Sequence, residues 1–92
     1  MKTSKETRSL ITAVKAVFRS PDKYELVGLN PEALAEAEDF RIWLPQQTEQ
    51  WFAQPIEEAI ENGIPADALS LANYVLWFYA DEFLSTITFE EI

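Results

Sequence analysis

The chain has 92 residues, a net charge of −9, 48% hydrophobic and 13% aromatic residues, two glycines, and neither cysteine nor histidine. The hydrophobic content excludes a disordered chain, and the scarcity of glycine argues against an all-β fold with its many tight turns. The missing thiol and imidazole exclude disulfides and the common zinc sites. Charge is unevenly divided: in the first 23 residues Lys2, Lys5, Arg8, Lys15, Arg19 and Lys23 are opposed only by Glu6 and Asp22, whereas Arg41 alone faces 14 carboxylates in the rest.

Residues 4–19 read as an amphipathic helix. At about 100° per residue, Leu10, Ile11, Val14, Val17 and Phe18 share one side, and Lys5, Arg8, Thr12, Lys15 and Arg19 form a basic ridge on the other. Ser20-Pro21 ends it, because the residue before proline avoids the α region. Residues 24–27 are either a short helical turn, opened by Ser20-Pro21-Asp22 and closed by Gly28, or a short strand; the helical turn is preferred. Asn30-Pro31-Glu32 opens the next helix, which runs to about Trp43 and stops before Pro45. Leu34, Ala37, Phe40 and Leu44 lie on one face of it, and Glu32, Glu36 and Asp39 on the other.

Residues 46–62 are helical, with Pro55 either kinking one helix or opening a second. Phe52, Ile56, Ala59 and Ile60 point inward, Glu57, Glu58 and Glu61 outward, and Asn62-Gly63 is a stop signal. Pro65 and Ala66 start a last helix to about Leu84, apolar on nearly every side from Tyr74 to Ala80. Such a helix is normally buried, which places Trp77 and Phe78 in the densest packing, with Ser70, Asn73 and Asp81 marking one wet edge. Residues 86–89 alternate and can be extended. The expected architecture is one all-α domain over 1–92, a bundle of four to five helices around the apolar C-terminal helix. The polar N-terminus is unlike a signal peptide, and the apolar run 68–80 falls short of the roughly 20 residues that span a bilayer. The expectation is a cytoplasmic protein without a membrane partner.

The carboxylates and aromatics carry the functional reading. Glu32, Glu36, Asp39, Glu57, Glu58 and Glu61 occupy the exposed faces of consecutive helices, and Trp51 lies about two turns before Glu58 on the same side. A negative patch beside a rigid aromatic suits a surface steered by charge and anchored by desolvation. The leading expectation is therefore a non-enzymatic interaction module, such as an inhibitor, adaptor or small regulatory subunit, whose protein partner has a basic surface. The alternative is an acidic nucleic-acid mimic that blocks a DNA- or RNA-binding protein. The plain reading of the same carboxylates is a solvated surface. Trp43 falls off the apolar face of its helix, and Tyr74 and Trp77 border the wet edge of the last one; each is either an anchor or ordinary packing.

The basic ridge is either a binding face or a face leaning on its own fold. Direct nucleic-acid binding is disfavoured by the acidic remainder and by the lack of interleaved aromatics. Ridge and acidic face could instead join two copies in a homodimer. Glu58-x-x-Glu61 resembles half of the carboxylate pattern by which all-α nucleotide pyrophosphatases of the MazG type hold magnesium. That resemblance implies a third reading, a small magnesium-dependent nucleotide hydrolase. The pattern's second half requires Glu-x-x-Asp on a later helix, where this chain has Asp81, Glu82 and Ser85. With that half missing and no histidine to activate a serine or threonine, no catalytic residue, metal site or cofactor is assigned.

Overall fold

The computed structural model describes residues 5–79 and 86–92. In chain order it contains α1 (Lys5–Phe18), β1 (Tyr24–Val27), α2 (Pro31–Trp43), a 3-10 turn (Leu44–Gln46), α3 (Gln50–Glu61), α4 (Ala68–Tyr79) and β2 (Thr88–Glu91). The fold is mainly helical, as expected, with a small antiparallel sheet added in which Leu26 lies opposite Phe89 and Val27 opposite Thr88.

α1 buries the face its periodicity predicts, with Ile11, Val14, Val17 and Phe18 in the core. Its basic ridge leans on the segment that enters α3. Arg8 pairs with Glu49 at 3.8 Å, Lys15 lies 5.4 Å from the centre of the Phe52 ring, and Arg19 donates to the Pro45 carbonyl at 3.1 Å. After Ser20 the chain turns once, its carbonyl accepting from the Lys23 and Tyr24 amides, and then straightens into β1. The preferred helical turn at 24–27 is therefore replaced by its strand alternative. Leu26 and Phe89 fill the inner face while Glu25 and Glu90, paired opposite each other, face outward, the alternation of a sheet with one buried face.

α2 begins as its sequence dictates. The Asn30 side chain accepts from the Glu32 and Ala33 amides, and Pro31 occupies the first turn, where its missing N–H costs nothing. Near the other end Arg41 is buried. Its Nε donates to the Phe18 carbonyl at 2.9 Å and its Nη2 to the Tyr24 carbonyl at 2.6 Å, with the Val17 carbonyl at 3.4 Å. The guanidinium also sits 5.1 Å from the centre of the Phe89 ring. One side chain thus satisfies the last carbonyls of α1 and ties them to β1, β2 and α2.

α3 is one helix that runs through the buried Pro55. Proline has no N–H for the Trp51 carbonyl four residues earlier; the Tyr79 hydroxyl of α4 donates to it instead. The helix stops at Asn62-Gly63 as expected. Gly63 has φ +77°, and the Ile64 amide reaches back to the Ala59 carbonyl, the geometry that closes helices through a left-handed glycine. α4 starts at Ala68, later than Pro65-Ala66 implied, because Asp67 caps it: its two carboxylate oxygens accept from the Ser70 amide at 2.8 Å and the Ser70 hydroxyl at 2.9 Å. These bonds hold the Asp67 carboxyl below its ordinary pKa. The expected continuation of this helix to Leu84 lies outside the described residues.

α4 packs on α1, α3 and β2 through Leu71, Ala72, Val75 and Leu76. Trp77 and Phe78 are not in the densest packing. Trp77 is 41% exposed and Phe78 is half-buried. Among the largest fully buried side chains, Phe18 meets Phe52 edge-on at 5.7 Å and Phe89 at 4.9 Å, and Leu44, Ile56 and Ile87 are fully buried as well. The outer aromatics of α4 instead lay their rings on the surface and bond through their polar tips: Trp77 Nε1 donates to the Ile87 carbonyl at 2.8 Å. Among the described residues, no helix is long and apolar enough to cross a membrane.

Candidate functional site: an acidic helix face beside an aromatic patch

α3 and α4 run antiparallel, and their shared edge builds the candidate surface. Near the start of α3, Trp51 is 37% exposed and meets Trp43, 43% exposed, edge to face at 5.3 Å. Tyr79 closes on the other side of Trp51 at 5.3 Å, and Phe40 stacks under Trp43 at 5.9 Å. Trp43 and Trp51 are thus the off-face residues that the periodicity singled out, and they are neighbours. Beside them Thr48, Gln50, Trp51, Gln54 and Tyr79 line a shallow depression of about 320 Å³.

Toward the other end of α3, Glu57, Glu58 and Glu61 are all exposed. Glu58 accepts from the Tyr74 hydroxyl at 2.6 Å, and the same hydroxyl accepts from Asn62 Nδ2 at 3.1 Å. The Glu58 carboxylate raises the Tyr74 pKa, because it stabilises the protonated phenol; burial raises that of Tyr79. Tyr74 therefore belongs to the wet edge of α4, as its position predicts.

Glu32, Glu36 and Asp39 are exposed on α2. α2 packs on β1 and the 3-10 turn, whereas α3 packs on α1 and α4; α2 and α3 meet at Trp43 and Trp51. Two further residues escape a local reading. Tyr79 is recruited by the acceptor that Pro55 leaves behind, and Arg41 by carbonyls distant in sequence. For Arg41 the sequence carried one signal, a lone cation among 14 carboxylates. Of the magnesium pattern, Glu58 and Glu61 are present, while Asp81, Glu82 and Ser85 lie outside the described residues. Among the described residues, no group of three acidic side chains is placed to hold a metal ion.

No protein-family model, curated protein or solved structure matches this chain.

Proposed function

We propose that the chain is a non-enzymatic interaction module that presents the α3–α4 edge to a protein with a basic surface. The observation that supports this reading is that Trp43 and Tyr79, both in contact with Trp51, form a partly exposed aromatic patch at the start of α3, and the exposed carboxylates of the same helix follow about two turns later. Aromatics left in water next to one another are the usual anchors of interfaces, and flanking charge sets encounter and register. The exposed rings beside the carboxylates favour this over a nucleic-acid mimic, which needs no aromatic anchor.

The test compares partners captured from the native host by the parent chain and by three variants. Charge reversal at Glu57, Glu58 and Glu61 should slow association and flatten its salt dependence. Trp51→Ala should speed dissociation, at a cost of about 2 kcal/mol for an interface hot spot. Reversal at Lys5, Arg8 and Lys15 should leave binding intact. If only the last variant loses the partner, the working surface is the basic ridge and the proposal is wrong.

A further inference from the structure

A second concavity lies where the end of α1 meets the α2–turn junction. It measures about 460 Å³, within the roughly 300–1,000 Å³ typical of small-molecule sites. Phe18, Pro21, Ile42 and Pro45 provide its apolar walls, and Arg19, Arg41 and Glu38 its charged groups. Ile42 is 66% exposed, a large aliphatic side chain held in water at the rim.

Arg41 makes this groove more than an apolar dent. Its side chain is only 5% exposed, and its Nε and Nη2 are bonded to the carbonyls of Phe18, Val17 and Tyr24. A guanidinium carries two further N–H donors on Nη1. Nη1 forms an ion pair with Glu38, but at 3.8 Å from Oε1 it is too far for a hydrogen bond. Among the described residues no sealed side-chain nitrogen or oxygen lacks a partner, so Nη1 reaches accessible space, and the groove is the space that Arg41 borders. Burial lowers the pKa of the guanidinium and Glu38 opposes that shift; arginine nevertheless stays charged in proteins.

We propose that this groove binds a small apolar monocarboxylate, an aliphatic or aryl acid. Its body rests on Phe18, Pro21, Ile42 and Pro45, and its carboxylate accepts from Arg41 Nη1 with Arg19 at the rim. Two guanidinium groups against one carboxylate make the groove locally positive in a chain of net charge −9. A monoanion fits that balance, whereas a multiply charged ligand meets Glu38 and the acidic remainder. Glu38 is half-exposed and can turn to water when the ligand arrives. The site is independent of the α3–α4 edge.

The experiment is a titration of the full-length, isotope-labelled protein with octanoate, followed by amide and arginine side-chain resonances. Saturable shifts are expected at Arg19, Glu38, Arg41, Ile42 and Gln46. Octan-1-ol and octylammonium should bind about tenfold more weakly or worse, since each lacks the charge-assisted bond. Ile42→Glu, at an exposed position, should keep the melting temperature and weaken octanoate about tenfold by placing a carboxylate at the mouth. Arg19→Gln should weaken it less. The proposal is overturned if the alcohol binds as well as the acid, if Ile42→Glu binds octanoate unchanged, or if shifts are absent or fall on Trp43 and Trp51. It is also overturned if a short hydrophobic peptide with a free carboxylate binds the groove much more tightly than octanoate, which would assign the site to protein chain ends.

Discussion

Proline 55 sits inside a helix and leaves the Trp51 carbonyl without its intrahelical donor; the Tyr79 hydroxyl supplies the missing bond from α4. The energetic meaning of that exchange can be isolated by a double-mutant cycle. Tyr79→Phe should cost about 1 kcal/mol in the parent. In a Pro55→Ala background, where residue 55 regains an N–H for the same carbonyl, it should cost close to nothing. Urea denaturation of the four proteins measures the coupling, and equal costs in both backgrounds would show that the hydroxyl is not standing in for the amide. The core makes a second residue-scale test. Phe52 is fully buried against Phe18, so Phe52→Ala should cost about 3–5 kcal/mol. Phe78 is half-buried, and its truncation should cost roughly half of that or less. A reversed order in thermal melts would put the core on the outer side of α4.

At the scale of elements, the sheet is held by a side chain as well as by its own ladder. Asn73 of α4 accepts from the Phe89 amide at 2.6 Å and donates to the Phe89 carbonyl at 3.2 Å, which is the pair of bonds a third strand would make. Asn73→Leu should cost about 1–3 kcal/mol by stranding both groups, and hydrogen exchange at the Phe89 amide should accelerate; unchanged exchange there would remove Asn73 from the account of the sheet. Asn73 also marks where sequence reasoning stops. α1 was legible because its apolar residues recur with helical period and Ser20-Pro21 ends it; α2 was legible mainly from its Asn30-Pro31 start, since its buried face of Ala33, Ala37 and Arg41 carries little apolar period. The end of α3 was legible in Asn62-Gly63. β1 was legible only as the second of two readings, because Tyr-Glu-Leu-Val becomes a strand when Thr-Phe-Glu-Glu arrives beside it, with residues 28–87 in between. The buried face of α4 was not, because a stretch that is apolar from Tyr74 onward has no period to read. What orients it is where its polar tips find acceptors, at Glu58, Ile87 and Trp51. In the candidate surface, Trp43, Trp51 and the α3 carboxylates were visible as residues off their apolar faces. Tyr79 and the groove around Arg41 depend on contacts between elements that no local pattern encodes.

For the molecule as a whole, the divided charge is partly reconciled within the chain: Arg8, Lys15 and Arg19 lean on the segment entering α3, and Arg41 is turned inward. That leaves less drive for one copy to dock its ridge on another's acidic face. The protein should sediment as a monomer at about tens of micromolar in both low and high salt, and a dimer that dissolves with salt would show that the ridge is still available between copies. The sheet, finally, has a kinetic consequence. Its two strands close a loop made of α2, α3, α4 and everything between them. By the logarithmic growth of closure entropy this costs roughly 2–3 kcal/mol more than a tight hairpin would. α3 and α4, by contrast, are neighbours in sequence and can meet early. Such a chain pays its topological cost in the step that pairs β1 with β2. Ile87 and Phe89, which enter the core with β2, then belong to the step that sets how fast the native state is found, so that truncating either should slow folding.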